Sequence, residues 1–250
     1  MPGAWRVAAS SVRGTRHVGA GLPCQDAHAW CVTPRGSLVA VVADGAGSAP
    51  LAEHGARVAA DAALAHLRAA DPDPAADGWE DALRGALHAA RAAVEEGARA
   101  HGAAPRDLAT TLIVILASEA AACAAQVGDG AALARTADGA LHPLTAPVRG
   151  EYANETVFLS SPGGVEGAQL ARVRGALVGI AALTDGLQGL ALQGAAGAPH
   201  PPFFGPLFHF AAEPLPAAEA QAGLDAFLTG PRVTARTDDD LTLLLAVRER

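Results

Sequence analysis

Apolar and polar positions along the chain change rhythm several times, and each change predicts an element. Residues 5–10, 28–33 and 37–43 are short runs of β-favouring residues set apart by Gly and Pro, and they read as strands. Residues 38–43 are apolar throughout, as in a strand buried on both faces. Residues 13–26, rich in Gly and polar groups, read as a loop. The rhythm then turns helical. Leu51, Val58, Leu64 and Leu67 fall at roughly helical spacing, which predicts a helix capped by Ser48, with Pro50 in its first turn, running to about Ala70. The segment DPDPAADG breaks it. Asp77 followed three residues later by Glu80 reads as a capping box for a second helix over about 78–99.

Strand patterns return at 110–117, 121–127, 131–136 and 156–160, with turns between them, and again in the apolar run 176–183. Residues 194–206 read as a Gly/Pro-rich surface loop, 213–228 as a helix stopped by Gly230 and Pro231, and 241–247 as a last strand. This succession predicts one α+β domain over residues 1–250. Its apolar runs are buried if two mainly antiparallel sheets pack together with helices outside, a four-layer αββα sandwich.

Composition narrows the function. Half of the residues are apolar and 18% are charged, enough to bury a core. The formal net charge of −8 argues against a binder of nucleic acid or anionic membrane. Every basic residue is Arg, and Tyr152 and Asn154 are the only Tyr and Asn, which marks a biased coding background. Against it, the clustering of both in GEYANET suggests constraint: either a loop touching substrate or a turn with a hydrogen-bonded anchor. The three cysteines, Cys24, Cys31 and Cys123, form no CxxC pair and no zinc spacing, which suits a reducing compartment. The N-terminal residues do not read as a signal peptide, and the apolar window 108–127 is broken by polar residues into two adjacent strands. A cytoplasmic protein is expected.

One pattern recurs with chemical meaning. Apolar strands end abruptly in Asp-Gly: VAVVADGAG at Asp44, AAQVGDGA at Asp129 and GIAALTDG at Asp185. The last strand instead follows an acidic triplet, Asp238-Asp239-Asp240, and Asp26 in PCQDAH precedes a strand. Strand ends at one edge of a sheet project into one cleft, where crowded carboxylates repel and raise one another's pKa. A hard divalent cation such as Mg²⁺ or Mn²⁺, which prefers oxygen ligands, removes that conflict. Asp-Gly is also a common turn dipeptide, and Asp77-Gly78 and Asp138-Gly139 read as turns.

In order, the motifs GTRHVGAGLPCQDA, VVADGAGSAPLAEHGA, ATTLIVIL, QVGDGA, GEYANETVFL, LTDGL and DDLTLLL resemble the metal-dependent protein phosphatases of the protein phosphatase 2C type, most closely a bacterial branch with a PCQD motif. The resemblance spans about residues 5–247. It implies a serine/threonine protein phosphatase with two, or three, Mg²⁺ or Mn²⁺ ions at one end of a β-sandwich. Asp44 would bridge two ions, with the Gly45 carbonyl on the second and Asp185 and Asp239 completing the first. Asp129 would belong to a third site shared with Asp185, and Asp26 would act through metal-held water. A water with lowered pKa would attack phosphorus in line, and the cations would neutralise charge on the phosphoryl oxygens. Asp26, Asp44, Asp185 and Asp239 would thus carry the catalysis.

The resemblance has departures. Many relatives carry Glu where this chain has Gln25, an Arg where it has Gly21, and a His where it has Ala46. A substitute grip on phosphate is then needed. Arg13, Arg16 and His17 lie in the same loop, and His17 is the first choice, with Arg13 and Gln25 beside it; the alternative is that His17 only ties down the loop. The implied partners are phosphorylated proteins and a serine/threonine kinase working in opposition, with no nucleic acid or membrane. The alternative function is a weak or inactive phosphatase-like module that binds phosphoproteins.

Overall fold

The structure is a computed structural model and describes residues 4–147, 156–194 and 197–249. In chain order the elements are β1 (Trp5–Val12), α1 (Thr15–Ala20), β2 (Asp26–Val32), β3 (Leu38–Asp44), α2 (Ala52–Ala70), α3 (Trp79–Ala100), β4 (Leu112–Ala117), β5 (Ala121–Val127), β6 (Ala131–Thr136), β7 (Leu141–Thr145), β8 (Gln169–Arg174) and β9 (Leu177–Leu183). There follow α4 (Gln188–Ala191), the short pair β10 (Leu192–Gln193) and β11 (Ala198–Pro199), α5 (Pro201–Ala212), α6 (Ala217–Leu228), α7 (Pro231–Thr234) and β12 (Leu241–Arg248).

Two antiparallel five-stranded sheets form, ordered β2-β3-β4-β5-β8 and β1-β12-β9-β6-β7. The period of two along β3 explains the layering. Leu38, Ala40 and Val42 face the other sheet and meet Ile180, Ala182, Leu244 and Ala246. Val39 and Val41 face the opposite way, against Ala56 and Leu67 of α2 and Leu87 of α3. On the far side, Phe204 and Phe208 of α5 and Leu224 and Leu228 of α6 cover Leu243 and Leu245 of β12. The expected αββα sandwich is what these faces build.

Local differences have physical reasons. No side-chain cap forms at Ser48 or Asp77: α2 starts at Ala52 behind Leu51, and α3 starts behind Gly78, whose φ of +84° ends the turn. The loop 13–26 contains α1, closed by Gly21 in the left-handed region. Residues 156–160 are not a strand; Phe158 and Ser161 close a turn there, and β7 and β8 supply the outer strands. The largest difference is α5, over a stretch expected to be loop. Pro201 and Pro202 sit in its first turn, where a missing N–H costs nothing, and Phe204, Leu207, Phe208 and Ala211 bury one face.

Candidate active site

The antiparallel register carries the carboxylates to one end of the sandwich. Asp26 at the start of β2 lies opposite Asp44 at the end of β3. In the other sheet, β9 runs out at Leu183 beside Leu243 of β12, so Asp185, just past β9, meets the triplet just before β12. Asp129 lies in the turn that passes from β5 of one sheet to β6 of the other. The fold thus collects strand ends from both sheets around one polar pocket of about 130 Å³, lined by Asp44, Gly45, Asp129, Asp185, Asp239 and, at its rim, Arg16.

The chain after Asp44 is clamped. A Cβ on Gly45 would lie 2.6 Å from the Ala52 carbonyl oxygen and 2.7 Å from that of Gln25, so only glycine fits. The Gly45 N–H donates to the Gln25 carbonyl at 3.0 Å, and the Thr111 N–H donates to the Asp44 carbonyl at 2.8 Å, which fixes the Asp44 backbone.

The carboxyls within this frame are in conflict. Burial pushes Asp44 well above the usual carboxylate range, and the neighbouring Asp26, Asp185 and Asp129 push it further. Asp185 is raised as well, first by burial, with Asp129 and Asp239 adding to the rise while the Asp44 carboxyl beside it holds it back. Asp26 is raised by burial to about 8, although its Oδ2 accepts from the Thr184 hydroxyl at 2.8 Å. Its Oδ1 is buried with no partner, as is Oε1 of Gln25. An all-oxygen donor set, two orphaned acceptors and crowded carboxyls fit hard divalent cations. Among the described residues no three His, Cys, Asp or Glu side chains converge closely enough to enclose an ion alone; Mg²⁺ and Mn²⁺ sites commonly keep several waters.

The acidic triplet divides its labour. Asp239 lines the pocket, and its Oδ1 accepts from the Arg16 guanidinium at 2.7 Å. Asp240 turns inward instead. It accepts from the Gly14 N–H at 2.7 Å, the Gln25 N–H at 2.6 Å and Nδ1 of His17 at 2.8 Å. Asp238 is exposed, and its carbonyl takes the Arg16 N–H at 3.0 Å.

This geometry redistributes the expected phosphate ligands. Arg13 does not line the pocket; its guanidinium lies on the Leu22 carbonyl at 3.1 Å. His17 reaches the pocket wall, but its Nδ1 faces a carboxylate and must donate to it, so the ring ties the loop to Asp240. Arg16 is the cation at the rim, a residue named in the loop but not selected. Arg16 sits in the first turn of the six-residue helix α1 and Arg13 lies before it, a turn that the Gly-rich sequence did not announce. Thr156, whose hydroxyl donates to Asp129 Oδ2 at 2.8 Å, is a further wall residue that sequence reasoning missed. Tyr152 and Asn154 lie outside the described residues. Burial and the nearby Asp26 push the Cys24 thiol far up, which removes it as a nucleophile.

Residues 13–229 match the family described as Protein phosphatase 2C. The chain belongs to the protein phosphatase 2C family. The match contains Asp26, Asp44, Asp129 and Asp185 and stops before the triplet. Over 259 aligned residues the chain is 36% identical to Serine/threonine-protein phosphatase 3 of Escherichia coli K12, covering 97% of this chain and 98% of that protein, and so reaching Asp239. Among solved structures, its fold is similar to that of the serine/threonine phosphatase Stp1 of Staphylococcus aureus, with a TM-score of 0.69 at 14% identity and coverage of 100% and 98%. It is also similar to PppA of Pseudomonas aeruginosa, with a TM-score of 0.64 at 16% identity and 99% of both chains covered. No described helix is long and apolar enough to cross a membrane.

Proposed function

We propose that this protein phosphatase 2C chain hydrolyses phosphoserine and phosphothreonine in proteins, with Mg²⁺ or Mn²⁺ held between its two sheets. The observation that carries the reading is the set of carboxyls from both sheets around one pocket, crowded enough that burial and their neighbours raise both Asp44 and Asp185. A fold that only needed stability would have little use for that crowding, because neutral or apolar replacements relieve it.

Asp44, Asp185 and Asp239 with the Gly45 carbonyl would hold a binuclear pair, Asp129 would serve a third ion, and Asp26 would order water through its free Oδ1. Bound there, the cations supply a water acidic enough to attack phosphorus near neutral pH and shield the phosphoryl charge. The chain's own residues do the rest. Arg16, half-exposed at the rim, turns from Asp239 to the phosphoryl oxygens, for which a planar guanidinium is suited. Gln25 holds water at the pocket wall. His17 and Asp240 position the loop that carries Arg16. Substrates come from a serine/threonine kinase, the reaction class that makes these esters. Three free thiols suit the reducing cytoplasm.

Phosphate release from a phosphothreonine peptide with Mn²⁺, with Mg²⁺ and with EDTA, beside Asp44→Asn, tests the reading. Cation-dependent release abolished by EDTA and by the substitution is expected. Folded, cation-loaded protein that releases nothing would replace the enzyme with a phosphoprotein-binding module.

A further inference from the structure

The catalytic pocket is too small for a polypeptide, but it is not isolated. A second cavity of about 460 Å³ shares Asp185 and Asp239 with it and is bounded further out by Leu190 and Arg236. A third, of about 360 Å³, shares Leu190 and Arg236 with the second and continues to Pro202 and Phe203. A fourth, of about 440 Å³, shares Pro202 and Phe203 with the third and lies between α5 and α6. Shared walls set the four cavities side by side in a row from the carboxylate cluster across the outer helices.

The lining changes character along this path. Near the pocket it is acidic, as a cation site requires. At mid-length stands Arg236, and at the far end Arg232, both exposed. Among the described residues neither forms an ion pair, although the chain carries a net charge of −8. The far end is aromatic. Phe203 and Phe227 stand 6.1 Å apart between ring centroids, and Phe227 is 36% exposed. Gly223 in mid-α6 shapes that end, since a Cβ there would lie 2.9 Å from the Phe210 ring. Glycine inside a helix costs about 1 kcal/mol against alanine, and here it makes room for the ring that lines the cleft.

We propose that this groove seats the substrate polypeptide beyond the phosphorylated residue: an acidic side chain on Arg236, then an apolar or aromatic side chain in the Phe203–Phe227 cleft. The proposal rests on the phosphatase reading and adds the substrate class, an extended acidic–aromatic segment rather than a small phosphate ester. A small ester would occupy the first pocket alone. Adjacency to that pocket, and the mutual repulsion of two copies that each carry a net charge of −8, favour a substrate chain over a second copy of this protein.

The experiment compares p-nitrophenyl phosphate with phosphothreonine peptides carrying Asp and Phe at stepped distances on either side, and the same peptides with both replaced by Ser. With Mn²⁺, the native chain should favour the best acidic–aromatic peptide about tenfold in kcat/KM, mainly through KM, about 1.4 kcal/mol. Arg236→Glu should abolish the preference for Asp, and Phe227→Asp that for Phe, each leaving p-nitrophenyl phosphate turnover within about twofold. Equal losses on both substrate types, or no preference on either side, would overturn the proposal. If the native chain hydrolyses neither substrate, the phosphatase reading fails, and fluorescence anisotropy of the labelled peptides decides the groove. Binding lost in Arg236→Glu upholds it, and unchanged binding refutes it. A dimer seen by sedimentation that Phe227→Asp dissociates, with peptide kinetics unmoved, would assign the groove to a second copy and overturn the substrate role.

Discussion

Asp240 and Asp26 are both buried at the same end of the sandwich, yet their surroundings are opposite. Asp240 is met by two backbone N–H groups and the His17 ring. Asp26 finds one hydroxyl for one oxygen and nothing for the other, with Asp44 and Asp185 nearby. Converging donors make an aspartate part of the scaffold. Converging acceptors leave it short of donors, the state that the proposed cation site would relieve. Residue type and neighbourhood are shared, so the count of N–H and O–H donors around each carboxyl separates structural from functional aspartates here.

The strongest test substitutes one residue of each kind. Asp44→Asn should cut kcat on a phosphothreonine peptide by more than about 10³-fold, a typical scale for losing a principal electrostatic group. The same change should raise the thermal midpoint of the protein in EDTA, because it removes one of the crowded carboxyls. Asp240→Ala should do the reverse. It leaves buried donors unpaired and should cost about 2–4 kcal/mol of stability in urea unfolding, with activity falling as the loop 13–26 loosens. A cation-free Asp44→Asn protein that melts lower than the native chain would remove the electrostatic distinction.

pH sharpens the contrast next. In EDTA the folded protein holds the Asp26 proton up to about 8, whereas the unfolded chain releases it near the ordinary aspartate value of 3.8. Between those values the folded state binds more protons, so stability falls as pH rises. The fall from pH 5 to pH 8 should exceed about 1.4 kcal/mol, the worth of one unit of retained shift. Saturating Mn²⁺ should flatten it. Thermal melts at stepped pH with and without Mn²⁺ read both, and a rise in stability toward pH 8 in EDTA would contradict the sign.

The smallest expected effect separates two arginines of one loop. Arg16→Ala should raise KM for a phosphothreonine peptide about tenfold, a loss near 1.4 kcal/mol, while Arg13→Ala, which removes a contact to the Leu22 carbonyl, should change it less than about twofold. Equal effects would place the phosphate grip elsewhere.

Much of this was legible in the chain because it depends on local pattern. The all-apolar run of β3 and its abrupt end in Asp44-Gly45 need no partner to be recognised. The same holds for Asp129 and Asp185, since a strand buried on both faces has to stop at its first charge. The order of these motifs determined the family resemblance and the layered fold. Tertiary structure alone decided what depends on approach from distant segments. It turned Asp240 rather than Asp239 into the scaffold, because Gly14, His17 and Gln25 arrive from more than 200 positions away in sequence. It brought Arg16 rather than Arg13 to the rim by winding α1 from Thr15 onward, with Arg16 in its first turn and Arg13 left before it. It made a helix of the Pro- and Phe-rich segment 201–212, where helix propensity is poor and burial of Phe204 and Phe208 against the β12 sheet outweighs it. Sequence pattern fixes which residues must leave water; which donors and neighbours then meet them is settled only when both sheets close.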